Sequence, residues 1–218
     1  MKRLLRNREG SFTLEASLVL PVILTSILIL LFFCMFLYQR SLLGQVAIVA
    51  AERSAYAWDN SSRDPVSGAY PQDEYDSLYW RLTDDGMLNT IFGLGQQTSS
   101  ARLSLPAEEG QEGTLAFRKL YRTGTSIPEG MNGTMEYDNK VLLRKVTVSL
   151  NRLVPLIPLE RAIGDLTQEA QASAYIVDPV EWVRTVELAR YYGAKFQGAG
   201  GDRVDRLEAG NALRMFGK

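Results

Sequence analysis

The chain has no histidine and a single cysteine among its 218 residues. Without histidine there can be no His general base and no Ser-His-Asp triad, and most catalytic zinc sites are excluded as well. A lone cysteine excludes an intrachain disulfide, so bridges say nothing about redox compartment. Cys34 lies inside a long apolar run and reads as a lipid-facing or helix-packing residue. Nor is there a surplus of positive charge: 24 Lys and Arg stand against 25 Asp and Glu. The only dense basic group is Lys2, Arg3, Arg6 and Arg8, and no basic face for neutralising phosphates follows it, which argues against nucleic acid as a partner. QGAGG near the C-terminus lacks the preceding strand and following Lys-Ser/Thr of a phosphate loop and reads as a linker. EEGQEG lacks the ordered ligand spacing of a calcium loop. No Ser/Lys pair or carboxylate pair stands out by spacing. The expectation is a protein that is not an enzyme, with no cofactor, no metal and no small-molecule substrate.

What the chain does have is concentrated at one end. From Ala16 to Gln39 there is no charged residue, and Ala16–Leu37 as a helix spans roughly 33 Å, enough for a hydrocarbon core of about 30 Å. Most of these residues are Leu, Ile, Val or Phe, and together they favour insertion by roughly 5 to 9 kcal/mol before Ser17, Pro21, Thr25 and Ser26 subtract. The basic residues before the run outnumber Arg40 just after it, so the positive-inside rule puts the N-terminus in the cytoplasm and the rest outside. A cleavable secretory signal has a shorter apolar region ending in small residues, whereas this run ends FLYQR. The expected location is therefore the plasma membrane, single-pass, with the membrane itself as one partner.

An ordinary anchor does not account for the junction GSFTLEASLVLP, where Glu15 stands at the edge of the lipid-facing run. Near the interface such a carboxylate costs less than at mid-bilayer, yet it still calls for a reason. Gly10, Ser11, three further residues and Glu15, between a basic leader and a long apolar helix, resemble the prepilin-peptidase site of type IV pilins and pseudopilins. The resemblance implies cleavage between Gly10 and Ser11, with Glu15 as the fifth residue of the mature chain. In an apolar filament core a buried carboxylate needs a positive partner, and a neighbouring subunit's free α-amino group would supply it. LEASLVLPVIL, with Pro21, looks most like the TadE-like proteins of tight-adherence pilus systems. Ala16 stands where major pilins of those systems tend to carry an aromatic, which points to a minor subunit or assembly component. The implied partners are a prepilin peptidase, a polytopic platform protein and other pilin-like subunits. The alternative is a single-pass anchored extracellular binding or sensory module that is not processed.

The expected fold is α+β: a long transmembrane and spine helix, a small antiparallel β-sheet head and additional short helices. Residues 1–10 form the leader, 11–58 the helix, 59–193 the head, and 194–218 a Gly-rich linker with a short helix. Leu43, Val46, Ala47, Ala50, Ser54 and Ala57 recur at helical spacing as a stripe of mostly small residues, which suits close packing. WDNSSRDPVSG then ends the helix. Tyr75, Leu78, Tyr79 and Leu82 predict a short helix with a core-and-rim role, continued by Leu88, Ile91 and Phe92. RLSLP and TLAFRKLY read as strands. KVLLRKVTVSLNRL is the clearest strand, with Leu142, Val146, Val148 and Leu150 on its buried face. LTQEAQASAYIV gives another, with Ala170, Ala172, Ala174 and Ile176 on one side. At VDPVEW a helix begins, with Asp178 as cap, Pro179 in the first turn and Glu181 completing a capping box. It is expected to end near Gly193 and to bury Trp182, Val183, Val186 and Ala189.

Overall fold

The computed structural model describes residues 9–85, 87, 100–107, 113–140, 143–153 and 167–198. They form an α+β protein with one long N-terminal helix, a four-stranded antiparallel sheet and further helices. The chain divides into two compact units: Met1–Leu42 with Leu153–Gln168, and Leu43–Arg152 with Glu169–Lys218.

Helix α1 runs unbroken from Glu9 to Tyr56, followed by one 3-10 turn, Ala57–Asp59. Its apolar half contains a segment long and apolar enough to cross a membrane, and none of that segment is buried within the protein. Leu18 is 72% exposed and Leu31 58%. Pro21 sits inside the helix, where it supplies no N–H to the carbonyl one turn earlier. The hydroxyls of Thr25 and Ser26 donate back to the carbonyls of Pro21 and Val22 at 2.7–3.0 Å. Further along, Leu43, Ala47, Ala50, Ala51 and Ser54 are buried. The small-residue stripe is therefore a packed face, as its spacing predicts.

The sheet order is β1 (Ser100–Leu105), β2 (Asn132–Lys140), β3 (Leu143–Leu153), β4 (Thr167–Tyr175). β1 pairs antiparallel with β2, and β2 with β3. Ile176 N–H, just past β4, donates to the Arg144 carbonyl at the start of β3, so β4 returns antiparallel as well. The register lines up rows across one buried face: Leu103, Met135 and Val148, and next to them Ala101, Tyr137 and Val146. In the row of Leu105 and Leu150 stands Gly133, at φ +155°. A Cβ there would lie 2.0 Å from the Ser149 carbonyl oxygen, so only glycine permits this pairing.

Two sequence expectations fail here. TLAFRKLY is a helix, α3 (Leu115–Gly124), rather than a strand. Its buried residues Leu115, Ala116, Lys119, Leu120 and Thr123 follow the helical period, and Thr114 caps it by accepting from Phe117 N–H at 3.3 Å. α3 packs on β1 and β2, so closely that a Cβ at Gly124 would meet the Leu103 side chain at 2.7 Å. The helix expected from Tyr75 shrinks to α2, Trp80–Thr83. Tyr75 and Leu78 are exposed on irregular chain. That chain is held by side chains instead of a helical ladder: Asn60 Nδ2 donates to the Glu74 carbonyl at 2.8 Å, and Ser61 N–H to Asp76 at 2.9 Å.

Helix α4 (Pro179–Gly198) extends past the expected end at Gly193. Asp178 caps it by accepting from Glu181 N–H at 3.0 Å, as expected. Its buried face differs from expectation: Glu181 points inward, while Trp182, Val183 and Val186 are 45–57% exposed. At 100° per residue these three lie 100° to 200° around the helix from Glu181, so turning that carboxylate inward turns them out. Leu88, Ile91, Phe92, Leu142, most of EEGQEG and the segment 199–218 lie outside the described residues, as do the contacts of Leu82 and Ala189.

Candidate functional site

The residues singled out by sequence all lie on α1. Gly10 and Ser11 belong to its first described turn, and Glu15 follows on the exposed surface. Ser11 and Glu15 are four residues apart, about one turn along the same helix. Pro21, six residues beyond Glu15, lies about 120° away in the opposite sense. The helix thus brings the Gly10–Ser11 bond and Glu15 together and sets Pro21 apart from them. The expected boundary between leader and helix at 10/11 falls within the helix, because α1 already includes Glu9.

A second constellation, which sequence reasoning missed, is built from distant segments of the head. The buried face of the sheet turns polar at one end, where Tyr137, Asn139 and Arg144 replace aliphatic residues. Arg144 Nη2 lies 3.1 Å from Glu181 Oε2, and Arg81 Nε lies 3.1 Å from Glu181 Oε1. Arg81 also lies 3.4 Å from Asp85, one helical turn on. Asp85 accepts from the Tyr137 hydroxyl at 2.9 Å, and its carbonyl accepts from Asn139 at 3.1 Å. The two guanidiniums and two carboxylates balance, which is the condition for keeping charge out of water. Burial pushes the Glu181 carboxyl up from the usual carboxylate range, with Arg144 and Arg81 opposing. Burial and the Asp85 carboxylate push the Tyr137 hydroxyl above its ordinary range.

Beside it, Lys119 is buried with its ammonium 2.8 Å from Asp76 and donating to the Trp58 carbonyl at 2.6 Å. It also sits 4.1 Å from the centre of the Trp80 ring, a cation–π distance. Burial pulls this ammonium below its ordinary value, and Asp76 opposes the fall. The Trp58 ring in turn packs on Tyr137 with centroids 4.4 Å apart.

A cavity of 360 Å³ opens nearby, lined in part by Asp59, Asp76, Asp178 and Glu181. Each of these carboxylates already has a partner: Arg63, Lys119, the α4 N-terminus, and the two arginines. Among the described residues no group of three potential ligands is placed to hold a metal ion. The arrangement is suited to clamping the 58–85 segment, α3, the sheet and α4 together. The local signals for it are the i,i+4 pair Arg81 and Asp85 and the single charge of Arg144 in line with Val146, Val148 and Leu150 on the apolar face of β3. Compared with known proteins, the chain matches no family model, no curated protein and no solved structure.

Proposed function

We propose that this protein is a membrane-stored pseudopilin-like subunit, a minor or assembly component of a tight-adherence type pilus or related secretion machine. The observation that carries this reading is α1 itself. One continuous helix joins a Gly-Ser bond and spaced glutamate, an apolar membrane-length surface, and a small-residue face buried in an α+β head. A subunit that leaves the bilayer for a filament needs that continuity, since the same apolar surface must serve against lipid first and against neighbouring helices afterwards. Glu15 would then set register by pairing with a neighbour's new α-amino group.

The mechanism is processing, extraction and polymerisation, with no bond chemistry of the subunit's own beyond its processing. It is tested by co-expression with a prepilin peptidase, followed by N-terminal sequencing of the membrane-extracted protein. The expected mature chain starts at Ser11, and Gly10→Ala leaves the leader attached. A chain that still starts at Met1 beside an active peptidase returns the helix to being an anchor for an unprocessed extracytoplasmic module.

A further inference from the structure

The two edges of the four-stranded sheet are built differently. β1 is six residues long, exposes the Arg102 side chain and runs straight into Pro106, features that keep a further strand from adding to it. β4 is nine residues long, and from Glu169 to Tyr175 it reads EAQASAY, with one charge, no lysine and no proline. Glu169, Gln171, Ser173 and Tyr175 are exposed. Ile176 N–H faces the Arg144 carbonyl of β3. Backbone groups alternate in direction along a strand, so the even-numbered residues of β4 bond to β3. The N–H and C=O groups of residues 169, 171, 173 and 175 then face the other way. Among the described residues no strand pairs with that side.

This edge is complementary to itself. Laid antiparallel on a second copy with Ala172 opposite Ala172, it sets Glu169 against Tyr175 and Gln171 against Ser173, each facing pair exchanging backbone hydrogen bonds. Between them Ala170 meets Ala174, and Ala172 meets its own counterpart, where Cα atoms approach to about 4.5 Å and small side chains fit. No like charges face each other, since the segment's one carboxylate meets a tyrosine.

We infer that the outer edge of β4 is where two copies of this chain join, their sheets continuing into each other about a two-fold axis at Ala172. Seven residues from each copy make a smaller contact than the roughly 20 to 30 a side of a standard interface, so the dimer is weak and depends on concentration. The inference goes beyond the pilus reading and does not rest on it.

The test uses the full chain in detergent micelles. Sedimentation is expected to show a monomer–dimer equilibrium that moves to dimer as the ratio of protein to detergent rises. In a Cys34→Ser background, Ala172→Cys places two thiols across the axis within disulfide range. Oxidation with copper phenanthroline is expected to give at least about five times the covalent dimer obtained from Val66→Cys, on the exposed surface of the head. Gln171→Pro removes one outward N–H and leaves the bonds to β3 in place, and it is expected to abolish both the dimer and the cross-link. Ser173→Lys repeats that reading should the near-ultraviolet spectrum show that Gln171→Pro fails to fold. A monomer at every concentration overturns the inference. So does cross-linking at 172 no greater than at 66, or a dimer unchanged in a folded edge variant, either of which assigns association to another surface.

Discussion

The two halves of α1 share one backbone and one helical ladder, yet they differ in side-chain size and in what covers them. Between Leu18 and Leu37 the helix carries large aliphatic and aromatic groups and exposes them around its surface. Beyond Leu43 the buried positions shrink to Ala47, Ala50, Ala51 and Ser54, while Glu52 stays outside. Large apolar groups maximise transfer into lipid and demand no particular partner. Small ones bury little area each but let a neighbouring layer approach the backbone, and so they specify a partner. The first half is built for a solvent and the second for a fixed contact.

The head sharpens that contrast, because its most specific contact is ionic. Glu181→Ala would leave Arg81 and Arg144 buried without their shared carboxylate, and the expected loss is about 3 to 5 kcal/mol of head stability. Chemical denaturation checks it, with the outward-facing Trp182→Ser as control, expected within about 0.5 kcal/mol of the parent. Equal effects for the two variants would mean that α4 does not dock through Glu181.

Next in size is Leu28→Arg, which places a charge mid-run at a cost to insertion of about 2.5 to 3.5 kcal/mol. Carbonate extraction is expected to release a larger share of this variant, with the near-ultraviolet spectrum of the head unchanged. Unchanged extraction would break the assignment of this half of the helix to lipid.

The smallest effect belongs to the exposed loop after α1. Asp64 accepts from the N–H groups of Val66 and Ser67, which holds its carboxyl below the ordinary 3.8. The contribution of this turn is therefore present above the unfolded value and is lost as pH falls through the lower native one. Proton titration of the Val66 amide signal should show a midpoint below 3.8, absent in Asp64→Asn. A midpoint at or above that value would remove the turn's carboxylate from the account.

How much of this was legible depends on the range of the interaction. The helix, its stripe, the alternation in β3 and β4 and the Asp178 cap are patterns written within a few residues, and each stands where the sequence places it except at the start of the expected strand 140–153, where Lys140 ends β2 and pairs with Leu143 of β3. TLAFRKLY, a short run of mixed apolar and basic residues, fits either period, and the Thr114 cap at its start is the local signal that favours the helix. β2, NGTMEYDNK, is rich in turn formers, and nothing local marks it as a strand. It becomes one because two neighbours pair with it and Gly133 admits the Ser149 carbonyl. Of the residues picked for function, Ser11, Glu15 and Pro21 lie on α1 as expected, Gly10 lies on it too instead of in a leader ahead of it, and the ionic cluster has no counterpart among them.

By itself the sequence determined that one end of the chain is apolar over a membrane's thickness, that small residues continue the same helix, and that the remainder is an α+β head. Local periodicity suffices for these, since each reflects burial or lipid contact repeated along one element. Only the tertiary structure decided which charges are buried, that α4 turns Glu181 inward and Trp182 outward, and that a polar segment completes the sheet. Arg81, Arg144 and Glu181 lie far apart in sequence, and a carboxylate's best position is set by where the chain brings the opposing charges.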